Sequence, residues 1–378
     1  MKPMIYLDNA ATTYPKPESV YEALDYANRN LAFNAGRGHY PASQKVFDMI
    51  KETKQLLGEL LGVSSDTVSF ESSATESLNI IIQGLDLKEG DHVYISPFEH
   101  NAIVRPLSLL EKNKKIKIHL IPFNKQTWEP EFSKLNDMFA MNPPKAILLS
   151  HISNVTGYIL PFEKIFALGK KYNAVTILDC AQSLGVLNPS TENVDFIVFA
   201  GHKSLYASFG IAGFYNLSNY KLSIVKSGGT GSDSLNPNMP ENGSARYESG
   251  SLNSVAVAGL NASLKWLKNN PPYQHEKELT EYLIKKISEI TDVRLFLPIT
   301  SDRILGIISF SFQNYLAEDI GSILSEEYNI SVRTGFHCSP KIHSFIGSLD
   351  TLGTVRVSLG AFNTKEDVDM LIKALNTL

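Results

Sequence analysis

Short apolar runs punctuate the middle of the chain, spaced widely enough to leave room for a helix between neighbours. DHVYIS (91–96), KIKIHLIPF (115–123), KAILLSHIS (145–153), AVTILDC (174–180) and DFIVFAG (195–201) are such runs, dense in β-branched and aromatic residues. Near-continuous apolar order of this kind predicts strands buried on both faces. PFEKIFALGKKY (161–172), between two of them, reads as a helix. Strands separated by crossovers predict an α/β fold with a mostly parallel sheet covered by helices. Beyond NSVAVAGLNASLKWLKNN (253–270) the pattern turns helix-rich: LTEYLIKKISEI (279–290), AEDIGSILSEEY (317–328) and KEDVDMLIKALNTL (365–378) surround one strand candidate, GIISFSF (306–312). This predicts a second, smaller α+β domain. We place the large domain at residues 15–255 and assign 1–14 and 256–378 to the small one. Residues 228–251 are rich in Gly, Pro, Asn and Ser and predict a long exposed or subunit-contacting loop.

Composition narrows the class. The 378 residues are 43% hydrophobic and 20% charged, with a formal net charge of -4. That is globular composition, with no basic excess to attract nucleic acid. The lysine-rich EKNKKIKIHL (111–120) reads as a helix end leading into a strand. No apolar run approaches the ~18 residues of a membrane helix, and the start of the chain lacks the apolar core of a signal peptide. There are two cysteines, Cys180 and Cys338, too few for a disulfide framework, so a reducing cytoplasm is expected. No Cys/His cluster has zinc-ligand spacing, and no metal is expected.

The chemistry-bearing residues fall at the ends of the predicted strands. FIVFAGHKSLY (196–206) runs a buried strand into His202 and Lys203. In an open parallel sheet, ligands collect at the carboxyl ends of strands. A lysine desolvated there has a lowered pKa, and its neutral amine can form a Schiff base with an aldehyde. The plain alternative is a lysine reaching to solvent. Asp179 ends the apolar VTILD, and a buried carboxylate needs a cation, for which a pyridinium nitrogen would serve. Gln182 follows, within reach of a phenolic oxygen on the same ring. In FESSATESLNIII (70–82), Ser73 and Glu76 have capping-box spacing. The first N–H groups of that helix, at Ala74 and Thr75, with nearby hydroxyls, would seat a phosphate. His100, in SPFEHNAIV, follows another strand and could stack on a flat ring. Each residue alone also fits a structural role.

Taken in order, these segments resemble the cysteine desulfurase family, a class V aminotransferase branch of the fold type I pyridoxal-phosphate enzymes. The resemblance runs from YLDNAATT through EHNAIV, SNVTG, LDCAQS, GHK, ARYESGSLN and RTGFHC to TVRVSLGAFNT. It implies a seven-stranded type of sheet in a large pyridoxal-phosphate-binding domain. By similarity, Lys203 would hold the cofactor and move protons, His202 and Thr75 would contact the phosphate, and Asp179 and Gln182 would pair with the ring nitrogen and oxygen. His100 would stack on the ring, and Asn154 would lie near the ring oxygen and the substrate carboxylate. Ser251 stands where the family has a hydroxyl that reaches the partner's phosphate, which implies a homodimer with shared active sites. Arg356 matches the arginine that grips the substrate carboxylate, and Arg333 matches one near the cysteine loop.

Cys338 would decide the reaction. In RTGFHCSPKIH (333–343) it lies in a predicted loop beside His337 and His343, where a thiolate can be presented. The resemblance implies that it takes sulfur from L-cysteine as a persulfide and releases L-alanine, with a sulfur acceptor protein as a further partner. Cys180 reads as a small buried residue. The alternatives are selenocysteine lyase, another pyridoxal-phosphate-dependent C–S lyase or an aminotransferase on the same fold, or a scaffold that has lost the cofactor. The chain departs from the family at Ala200, where a Ser or Thr hydroxyl is usual, and at Ala207, Ser208 and Phe209. The pathway stays open among iron–sulfur cluster assembly, thio-modified nucleosides and selenium metabolism.

Overall fold

The structure, a computed structural model, describes residues 4–35, 40–218, 220–231, 235–300 and 302–378. Its centre is a seven-stranded sheet in the order Val68–Glu71, Ala212–Asn216, Phe196–Ala200, Val175–Asp179, Pro144–Ser150, His92–Ile95, Lys117–Leu120. Only Ala212–Asn216 runs antiparallel to its neighbours. The other adjacent pairs are parallel, so their carboxyl ends meet along one edge.

The central strands Phe196–Ala200, Val175–Asp179 and Pro144–Ser150 are largely apolar because both their faces are covered, while the edge strand Lys117–Leu120 is partly exposed. Side chains alternate between faces along a strand, and the packing follows that rule. Phe196 and Val198 join one cluster with Leu78, Ile81, Ile103 and Leu107, from the helices Ala74–Gly84 and Asn101–Lys114. Ile197 and Phe199 join the opposite cluster with Leu135, Phe166 and Leu260. Burying a side chain of this size contributes about 1.5–3 kcal/mol, so Phe196–Ala200 is anchored on both faces.

A second sheet, Arg333–Gly335, Thr354–Ser358, Ile307–Phe312 and Val293–Leu295, is antiparallel. The N-terminal strand Ile5–Tyr6 pairs in parallel with Ile330–Ser331, and Asp8 bridges to Ser358. The expected boundary at 255 falls at the start of the helix Ser254–Asn269, which packs on Glu18–Asn30 and Pro41–Leu61. Among the described residues no helix is long and apolar enough to cross a membrane.

Candidate active site

The parallel strand ends converge on one cavity. Its wall includes Lys203 and His202 beyond Ala200, Asp179 with Gln182, Asn154 beyond Ser150, and His100 beyond Ile95. Ala74 and Thr75, at the start of the helix Ala74–Gly84, close one side. Eight of the residues expected from the sequence therefore line a single space.

The expected phosphate seat is an open helix start. Ser73 caps it, its hydroxyl accepting the Glu76 N–H at 3.1 Å. Glu76 does not return the bond to Ser73 as a capping box would; its carboxylate takes the Ser72 N–H instead, at 3.3 Å. The N–H groups of Ala74 and Thr75 lie in the first turn, where helix geometry supplies no partner. Lys226 pairs with Glu76 at 2.8 Å and with the buried Glu71, so the seat's two carboxylates carry a counter-charge.

At the centre, burial pushes Asp179 up, while the Ala181 N–H, which donates to it at 2.9 Å, and the charge of Lys203 pull it down. Lys203 is lowered by burial, with the charges of Arg356 and Arg333 adding to the effect and Asp179 opposing it. His100 caps the helix Asn101–Lys114, its Nδ1 accepting the Ala102 N–H at 3.0 Å. Burial, reinforced by the charge of Lys203, brings it down to about 4. The ring is therefore neutral near pH 7, with its proton on Nε2. His202 stacks on Phe209, centroids 4.4 Å apart. Burial brings it down to about 3, and its Nδ1 is buried without a partner.

Two cavity residues are committed elsewhere. Gln182 donates its side-chain N–H to the Ala10 carbonyl at 2.9 Å. Asn154 donates to the His337 carbonyl at 2.8 Å and accepts from the Ser339 hydroxyl at 2.7 Å. It thereby holds both ends of the cysteine loop. The Asn101 N–H adds a third tie, to the Cys338 carbonyl, at 2.7 Å. His337 and Cys338 both have left-handed backbones, φ 47° and 57°, a conformation costing about 1–2 kcal/mol per residue. These three ties offset that strain and leave Cys338 exposed. The neighbouring imidazoles are structural: the His337 Nε2 meets Thr354, and both nitrogens of His343 are engaged, by Ser348 and the Phe336 carbonyl. Cys180 is buried, and burial pushes its thiol up.

Arg356 and Arg333 do not line the cavity but face each other across paired strands. The Arg356 Nη1 donates to the Asn154 carbonyl at 2.9 Å, which joins this pair to the cavity wall. Ser251 is exposed and is not part of the wall.

Sequence reading missed the N-terminal segment's part. Thr12 and Lys16 donate to the His202 carbonyl at 2.9 and 2.8 Å, and Asp8 pairs with Arg356. It also missed Glu99, buried and bonded to Ser96 and Ser150 at the ends of adjacent strands. The motif YLDNAATT was visible; its long-range contacts were not.

The aminotransferase class-V family model matches residues 5–371. A probable cysteine desulfurase of Methanothermobacter thermautotrophicus is 27% identical, across 99% of this chain and 94% of its own length. A cysteine desulfurase of Yersinia pestis is also 27% identical, across 100% and 94%. Among solved structures, the apo cysteine desulfurase of Thermococcus onnurineus superposes with a TM-score of 0.90 at 24% identity, over 99% of this chain and 94% of that one. The Escherichia coli cysteine desulfurase CsdA gives 0.86 at 26%, over 99% and 94%.

Proposed function

The chain belongs to the class V aminotransferase family, and on that premise we propose that it is a cysteine desulfurase, moving sulfur from L-cysteine to Cys338 and releasing L-alanine. The observation that carries this reading is the cysteine loop: an exposed thiol on a strained turn, tied by Asn154 and Asn101 to the cavity that holds Lys203.

The residues fit pyridoxal 5'-phosphate. The open N–H groups of Ala74 and Thr75, the Thr75 hydroxyl and the unpartnered His202 Nδ1 suit a phosphate. The buried Asp179 carboxylate suits a protonated ring nitrogen. When bound, the cofactor supplies an electron sink next to the substrate's α-carbon.

The chain's own groups divide the remaining work. Arg356 takes the substrate carboxylate as a charge-assisted pair. Lys203, whose amine burial shifts toward its neutral form, would take the Cα proton. His100 presents its Nε2 proton at the cavity wall. The Cys338 thiolate attacks the substrate sulfur: an S–S bond forms, the Cβ–S bond breaks and leaves its electron pair on the carbon side, Cβ gains the proton given up by the substrate thiol, and Lys203 returns its proton to Cα to complete alanine. Cys338 is left as a persulfide, exposed to a reductant or an acceptor protein. Ser251, exposed and outside its own cavity, would complete the phosphate seat of a second copy, which makes the working unit a homodimer.

The test is product analysis with cysteine and a thiol reductant. Wild type is expected to yield alanine and sulfide in equal amounts, and Cys338→Ala to lose at least ~10²-fold in both while keeping the cofactor's visible absorbance. Pyruvate with ammonia would replace this reading with an eliminating lyase.

A further inference from the structure

Arg356, which the reading above assigns to the substrate carboxylate, already has an anion. Its Nη2 pairs with Asp8 at 2.6 Å. Its Nη1 donates to the Asn154 carbonyl at 2.9 Å, and its Nε is buried with no partner. The guanidinium is 2% exposed and the Asp8 side chain 19%, so the carboxylate stands on the solvent side of the pair. Arg333 sits directly opposite on the neighbouring strand. Like charges in that position repel, and a buried guanidinium without a counter-ion is strongly destabilising. Asp8 is the only carboxylate within ion-pair distance of Arg356 among the described residues. Its backbone is fixed by the bridge to Ser358 and by the Tyr6 hydroxyl, which donates to its carbonyl at 3.1 Å.

A carboxylate grips a guanidinium best through two adjacent N–H groups. The free Nε and the Nη2 held by Asp8 form such an edge. An arriving carboxylate therefore gains one bond freely and must take the second from Asp8. We propose that Asp8 is a specificity-determining residue: it stands in for the substrate carboxylate on Arg356 and thereby rejects carboxylates that bring no other anchor. A substrate with an amine and a thiol has further contacts with which to displace it; a plain carboxylate has none. This rests on Arg356 being the carboxylate subsite, but not on desulfuration.

The experiment uses propanoate, which has neither amine nor thiol, titrated into the cofactor-loaded protein and followed by calorimetry and thermal unfolding. Asp8→Asn is expected to bind propanoate about tenfold more tightly than wild type. It is also expected to melt lower than wild type without propanoate and to recover most of that loss with it. Asp8→Asn combined with Arg356→Met removes both charges and is expected to fold and to ignore propanoate. Equal propanoate affinity in wild type and Asp8→Asn would overturn the proposal, as would tightening that survives the loss of Arg356. If Asp8→Asn folds only in propanoate, the proposal holds; if it folds in neither condition, the proposal falls. Should cysteine yield no alanine while propanoate binding still tightens, the desulfurase reading fails and the role of Asp8 stands.

Discussion

Ala200 ends the strand that delivers Lys203, and its methyl group lines the cavity where the family pattern carries a hydroxyl. A hydrogen bond to a charged group contributes about 1.5–3 kcal/mol, so on the proposed reading the missing oxygen would cost a bound phosphate a strong contact. Ala200→Ser is expected to tighten the cofactor about tenfold, read from visible absorbance on dilution; unchanged affinity would mean that this methyl does not face the phosphate. At this scale the sequence was legible where chemistry sits at a strand end. Asp179 and Lys203 stood out because a charge closing an apolar run demands a partner. Asn154 was expected at the site only through the family resemblance, and its ties to His337 and Ser339, 183 and 185 residues away, were not legible, since no local pattern records such a contact. The departure at Phe209 also acquired a meaning only in space, as the ring stacked on His202.

The helix Ala74–Gly84, proposed to seat a phosphate with its first turn, carries Glu76 there and follows a strand ending in Glu71. Negative side chains suit a bare helix start but oppose a phosphate. Lys226 resolves the conflict by bridging both. Its charge depends on them in turn: burial lowers it, and the two carboxylates more than restore it. Lys226→Met is expected to raise the cofactor's dissociation constant at least tenfold, with part of the loss recovered by adding Glu76→Gln; absorbance titration of the single and double variants decides it. Element prediction succeeded for long apolar runs and failed for short ones. Val68–Glu71 was missed because its VSFE places Ser and Glu within four residues and breaks the apolar run. Ala212–Asn216 begins Ala-Gly, and its Gly213 is set by packing: a Cβ there would lie 2.2 Å from the Ser69 carbonyl and 2.7 Å from the Phe199 ring. That constraint belongs to its neighbours in the sheet.

Across the whole molecule, Tyr206 and Glu276 tie the lysine loop to the C-terminal third of the chain. The Tyr206 hydroxyl donates to Glu276 at 3.0 Å and accepts the Ala361 N–H at 2.6 Å. Glu276 is buried, which pushes its carboxyl up to about 8. A carboxyl raised on folding stabilises the native state fully below its unfolded value of about 4.3, and that contribution is lost as pH rises through the folded value. His202 and Lys16, lowered to about 3 and about 7, act in the opposite direction, so the comparison must be made against a variant. Glu276→Gln is expected to gain stability relative to wild type steadily between pH 5 and pH 8.5, measured as urea midpoints; parallel curves would mean that Glu276 ionises normally. The sheet with helices on both faces was legible because helix and strand periods alternate along the chain. The closure of the N-terminal segment was not: residues 5–16 dock on strands and loops that follow them by hundreds of positions. Asp8 and Arg356 are 348 residues apart. Measured in time, at ~5–20 residues per second, a nascent Asp8 waits on the order of tens of seconds for its guanidinium. A polypeptide released between residues 204 and 332 would carry Lys203 but neither Arg333, Arg356 nor the Cys338 thiol. The groups assigned to sulfur transfer are therefore complete only once translation has passed Arg356.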